Sequence, residues 1–150
     1  MGFDLSGMNP NMSSPEPELP PFTERTDKHW AEYHEWQEEN SGVEFRNNVW
    51  SWRPLWHFVS SVCESILTRT DIESGSYNDG HKICKTKANR IASRLFKLIR
   101  NGDVKSYESA YRKHQGSLHK DNWDKSYPFS EDNVREFANF CLNSGGFQIW

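Results

Sequence analysis

Apolar and polar positions alternate along the chain in two rhythms, a short period-two rhythm at the ends and helical spacing between them. Residues 2–5, Gly-Phe-Asp-Leu, have the alternation of a short strand. Residues 7–22 hold five of the seven prolines, which predicts an irregular or polyproline-like arm, either mobile or wrapped around the domain. Trp30, Tyr33 and Trp36 recur on one face of an acidic helix over 26–40, with Thr26 or Asp27 as its cap and Gly42 beyond its end. An extended passage through 43–45 then leads into the stretch "FRNNVWSWRPLW", 45–56.

A second helix is predicted over 54–69. It opens on Pro54, since the missing proline N–H is not needed at the first helical position, and it carries Leu55, Phe58, Val59, Val62, Ile66 and Leu67 inward. Residues 71–80 read as a turn-rich loop. The clearest periodicity, Cys84, Ala88, Ile91, Ala92, Leu95 and Ile99, predicts a helix over 82–101 that Gly102 closes. A shorter helix over 103–115 has Asp103 as its cap and Val104, Tyr107 and Tyr111 inward. The last helix, 130–143, is capped by Ser130, buries Val134, Phe137, Ala138, Cys141 and Leu142, and stops at Gly145-Gly146. The final Phe-Gln-Ile-Trp could pair with the strand at the start. The expected fold is mainly α: one compact helical domain over 1–150, with a small two-stranded β element joining the termini.

Composition supports a folded chain. Only 35% of residues are hydrophobic, but aromatics make up 14% and include seven tryptophans, which disordered chains lack. The core should therefore rest on a few large rings. The net charge of -3 hides an asymmetry: residues 1–80 carry 14 acids against 5 bases, residues 81–150 carry 7 against 13. The basic helix 82–101 contains no acid. It either is a solvated face beside the acidic half or contacts an acidic partner; the acidic isoelectric point argues against direct nucleic-acid binding. Three scattered cysteines, all in apolar helical contexts, suit buried reduced thiols in a reducing cytosol. The chain shows no secretory signal and no apolar run of membrane-spanning length.

"FRNNVWSWRPLW" concentrates binding chemistry. Arg46 and Arg53 are forked donors for phosphate or carboxylate. Asn47 and Asn48 match the polar edge of a base or a ribose. Trp50, Trp52 and Trp56 offer faces for stacking, and a helix starting at Pro54 would add free N–H groups for an anion. From the N-terminal arm, Asp4 or Asn9 would close such a site. The same residues also suit a structural use, with tryptophans in the core, asparagines in a turn and arginines paired to the acidic helix. Six histidines invite a metal or catalytic reading, yet His29 and His34 are poorly spaced and no HExxH or CxxC appears, so no metal or cofactor is implied. No nucleophile elbow, Walker loop or dinucleotide fingerprint is present. Asp4, Glu44 and His57 would serve as acid–base groups only if the fold gathers them.

Three stretches, "MGFDLSGMNP", "FRNNVWSWRPLW" and "YPFSEDNVREFANFCLNSGGFQIW", about a third of the chain, resemble a family of small bacteriophage accessory proteins. The chain departs from that pattern at Ser6 and Ser51, where rings are usual. The resemblance implies a setting, the cytoplasm of a bacterial host cell, and a counter-defence role, with no mechanism attached to residues. Three readings follow. The chain binds and sequesters a nucleotide-like small molecule, a sponge for a host immune signal. It blocks a host defence complex such as a CRISPR effector through charged surfaces. Or it is an enzyme acting on a nucleotide signal. Exposed tryptophans would equally serve a homo-oligomer.

Overall fold

The computed structural model describes residues 2–150. Four strands, β1 (Gly2–Gly7), β2 (Glu44–Asn48), β3 (His81–Cys84) and β4 (Gly146–Ile149), form one antiparallel sheet in the order β2-β1-β4-β3. Six helices accompany it among the described residues: α1 (Asp27–Glu39), α2 (Val49–Val62), α3 (Arg69–Ser74), α4 (Lys85–Arg100), α5 (Asp103–Ser117) and α6 (Glu131–Asn143). This corrects the expected mainly α fold with a two-stranded element. The chain ends do pair, as β1 and β4, but they form the middle of a four-stranded sheet. The outer strands lie where the pattern suggested a lead-in (β2) and a helix start (β3).

The physical reason is length. β3 is four residues long and buries Ile83 alone, too little alternation to separate from the helical stripe that follows. Cys84, expected on the inner helix face, instead precedes α4 and is exposed. Other boundaries move too. The helix expected over 54–69 begins at Val49 and ends at Val62. A separate helix, α3, replaces the start of the expected loop, with Thr68 and Asp71 forming a reciprocal capping box. Leu142 faces solvent at 47% exposure rather than the core.

The sheet has one apolar face. Phe3, Leu5, Phe45, Ile83, Phe147 and Ile149 are all at most 7% exposed and pack against the helices. The register Leu5↔Phe45, Leu5↔Ile149 and Ile83↔Phe147 aligns them across the strands. Asp4, Ser6, Glu44, Arg46, Lys82 and Gln148 alternate onto the opposite, polar face. The core does rest on rings. Phe3 stacks on Trp52 at 5.4 Å, Trp52 on Trp56 at 5.3 Å, and Phe45 lies 5.4 Å from Phe137. Burying one such tryptophan releases on the order of 4–6 kcal/mol of transfer free energy before entropy is counted. Both indole N–H groups are satisfied, Trp52 donating to the Gly75 carbonyl at 2.8 Å and Trp56 to that of Ile72 at 3.0 Å.

The proline-rich arm wraps the domain. The Met8, Asn9 and Asn11 amides donate to the carbonyls of Gly146, Ser144 and Asn143 at 2.8, 3.0 and 2.8 Å. Further on, the Ser13 amide donates to the Asn40 side chain, and the Trp36 indole donates back to the Ser14 carbonyl. The close approach depends on Gly145, whose φ of +66° is left-handed and whose Cα faces the Asn9 carbonyl. No helix of the described residues is long and apolar enough to cross a membrane.

Candidate functional site

The stretch 45–56 is divided among a strand, a helix cap, the core and the solvent side of α2. Its first part belongs to the sheet. The Arg46 guanidinium lies on the polar face, 2.8 Å from Asp4 and 3.7 Å from Glu44, and all three are substantially exposed. Asn47 exchanges two amide hydrogen bonds with Asn133 of α6, at 3.1 and 2.8 Å, and so ties the sheet edge to that helix. Asn48 caps α2 by accepting from the Ser51 amide at 2.9 Å. Trp52 and Trp56, 0% and 3% exposed, are core. Asn9 is exposed on the strapping arm, with its amide given to Ser144.

Pro54 does not start the helix. It stands inside α2, so residues 50–53 are already helical and the expected free amides at Pro54 do not exist. Their removal takes the helix-terminus contribution out of the anion site. Proline also cannot donate to the Trp50 carbonyl four residues back. What α2 does present is its solvent side, where Trp50, Arg53 and His57 are exposed at helical spacing.

That side forms a ridge between two clefts. The first, about 430 Å³, lies between α2 and the C-terminal half of α5, with the segment 118–127 as its far wall. Arg53, His57, His114, Tyr111, Gln115 and Tyr127 line it, together with Asp124. The Arg53 guanidinium receives no carboxylate within 4.0 Å among the described residues; it donates instead to the Tyr127 hydroxyl at 3.2 Å. Tyr111 donates its hydroxyl to the Tyr127 carbonyl at 2.7 Å, which fixes the wall. Burial, with Tyr107, Asp124 and Tyr127 beside it, pushes the Tyr111 phenol up, so it remains a neutral donor. At the rim Trp50 packs 5.0 Å from Tyr127 and lies nearly parallel to Trp123, at 6° and 6.4 Å. Trp123 is 74% exposed.

Of the residues proposed from sequence, the cleft therefore gathers Arg53 directly and Trp50 at its edge. Arg46, Asn47, Asn48, Asp4 and Asn9 are placed elsewhere. The acid–base set does not assemble: Asp4 and Glu44 are on the polar sheet face, and His57 is on the outer side of α2, which packs against the other face through Trp52 and Phe3. Sequence reasoning missed His114, Gln115 and Tyr127 as site residues. The i, i+4 pair Tyr111 and Gln115 lies on one face of α5 beside His114, which was the available signal; Tyr127 enters through a loop, which leaves none.

A separate polar cluster lies at the N-terminal end of α4. Asp71, 6% exposed at its side chain, contacts Lys87 at 2.5 Å and His81 at 2.9 Å and accepts from the Thr68 amide at 2.9 Å. Burial alone would push its carboxyl up, but Lys87, Thr68 and His81 together hold it well below the usual carboxylate range. The four groups satisfy one another and tie α3, β3 and α4 together. Among the described residues no group of three or more His, Cys, Asp or Glu side chains could hold a metal.

Comparison with known proteins returns no match to a protein family model, to a curated protein or to a solved structure.

Proposed function

We propose that the chain binds a nucleotide-like small molecule in the cleft between α2 and α5. The observation that carries this reading is Arg53: an exposed guanidinium without a carboxylate partner, held by Tyr127 at the mouth of a cleft walled by tyrosines and histidines. A concave, mostly apolar site with a few convergent polar groups is the usual form of a small-molecule pocket. Arg53 would take a phosphate, Tyr111, Tyr127 and Trp50 would flank a ring, and Asp124 would accept from a base or ribose donor. The resemblance to phage accessory proteins supplies the setting, in which the chain acts in the host cytoplasm as a sponge that lowers the free level of an immune signal.

Tryptophan fluorescence tests this with the four ribonucleoside 5′-monophosphates as probes, since Trp50 and Trp123 border the cleft. Binding of at least one probe, weakened about tenfold or more by Arg53→Ala, agrees with loss of a charge-assisted contact. Equal affinity in the variant removes the assignment.

A second reading, a blocker of a host defence complex, has one observation in its favour. Lys85, Arg90, Lys97 and Arg100 of α4 are exposed, with no carboxylate within 4.0 Å among the described residues. Lys87 and Arg94 are less suited to such contact, since Lys87 holds Asp71 and Arg94 donates to the Val62 carbonyl. Reversal of Arg90 and Lys97 to Glu would abolish inhibition of this kind and leave nucleotide binding intact.

A further inference from the structure

Arg53 and His57 do not face one cleft only. The same two side chains line a second cleft of about 420 Å³ on the opposite side of the α2 ridge. Its floor is Trp52 and Trp56, and its outer wall is Ile72, Ser76 and Tyr77 from α3 and the turn after it. The two clefts are alike in size, each within the range that holds a small-molecule ring system. They share a cationic and imidazole-bearing divide one helical turn long.

The second cleft has its own signs of a ligand site. Its lining contains no carboxylate. The two tryptophans beneath it, 0% and 3% exposed, already donate their N–H groups to Gly75 and Ile72, so they close the base of the cleft as packed core. Ser60 also lines it, and its buried hydroxyl finds no hydrogen-bond partner in the protein. A buried hydroxyl without a partner is destabilising, so it is rarely left so in a native structure. Tyr77, 64% exposed, stands over the opening without a ring to pack on among the described residues.

We infer that the ligand has two ring-bearing units joined by an anionic bridge, as a dinucleotide has, with the bridge on Arg53 and His57 and one ring in each cleft. This rests on the reading of the α2–α5 cleft as a nucleotide site and extends it to the ligand's class. A mononucleotide would occupy one cleft and leave the Ser60 hydroxyl and Tyr77 unused. A bridged ligand uses both walls, and the divide neutralises its charge at the centre.

The test is isothermal titration of the full chain with the four ribonucleoside 5′-monophosphates and with the matching homodinucleotides joined by a 3′,5′-phosphodiester. The expected result is a dinucleotide that binds at least tenfold tighter than its mononucleotide. Tyr77→Ala, at an exposed position, should bring the dinucleotide down to the mononucleotide's affinity without changing the latter; Ser60→Ala should do so in part. Arg53→Ala should weaken both. Equal affinities for mono- and dinucleotide, untouched by Tyr77→Ala, would overturn the two-cleft ligand and leave the single-cleft reading standing. Absence of binding by every probe would overturn both.

Discussion

Replacing Asp71 by Asn should destabilise the fold substantially and in a pH-dependent way. The carboxylate is nearly inaccessible, and it accepts from Lys87, His81 and the Thr68 amide at 2.5, 2.9 and 2.9 Å. Asparagine keeps the shape and one acceptor, and turns a donor toward Lys87 or His81. Loss of two charge-assisted hydrogen bonds sets an upper bound of roughly 3–6 kcal/mol. Lys87 and His81 are 29% and 21% exposed at their side chains, so both regain water contact when the partner goes. A net loss of about 2–3 kcal/mol is expected, well above the surface-pair range of about 0–1 kcal/mol, and a drop in Tm of about 4–12 °C for a domain of this size. The folded pKa of Asp71 is depressed, so its contribution is complete above the unfolded pKa of about 3.9 and is lost as pH falls below that value toward the folded one. The stability gap between wild type and Asp71→Asn should thus shrink by about 1 kcal/mol between pH 5 and pH 3. Urea unfolding of both proteins at the two pH values measures it. A gap under about 0.5 kcal/mol at pH 5, or one that does not change at pH 3, would refute the reasoning.

Trp52→Phe keeps a ring in the core but removes the donor to the Gly75 carbonyl; a loss of about 2–3 kcal/mol in urea unfolding is expected. Gly145→Ala combines a left-handed backbone with a Cβ 2.2 Å from the Asn9 carbonyl, so the arm should lift and residues 7–22 become sites of limited proteolysis. Of the three thiols, Cys84 alone should react with Ellman's reagent in the folded protein. Cys63 and Cys141 are buried, and burial pushes the Cys63 thiol up to about 12 and that of Cys141 well above its usual value.

Long periodic elements were legible before the structure was known. The stripe from Ala88 to Leu95 and the Ser130 cap fall where the spacing put them, because a dozen or more residues average out local noise. The sheet was legible only at its centre, where β1 pairs with β4 and Leu5 lies opposite Ile149. Its outer strands depend on partners distant in sequence: β2 ends in two asparagines whose roles, a bridge to α6 and a cap on α2, appear only in three dimensions. Pro54 misled in a specific way. Proline beyond the first turn of a helix gives up a backbone hydrogen bond and is therefore rare, yet α2 runs through Pro54, and the cap that starts it is Asn48, six residues earlier. For the site, the sequence pattern named Arg53 and Trp50, which the fold places in and beside the α2–α5 cleft, and grouped them with neighbours that the fold sends to the core and the sheet. Residues adjacent in the chain diverge once a strand turns into a helix. The cleft is completed by α5 and the 118–127 segment, which no spacing rule links to α2.

The central claim, a nucleotide-like ligand held on the Arg53–His57 ridge, is tested most directly by native mass spectrometry of the full chain after exposure to an ultrafiltered small-molecule extract of bacterial cells. The account predicts a protein mass increased by one nucleotide-sized species, which is released on denaturation and missing from Arg53→Ala under the same load. Bare protein mass in the wild type at saturating extract, or an adduct that Arg53→Ala retains in full, would contradict it.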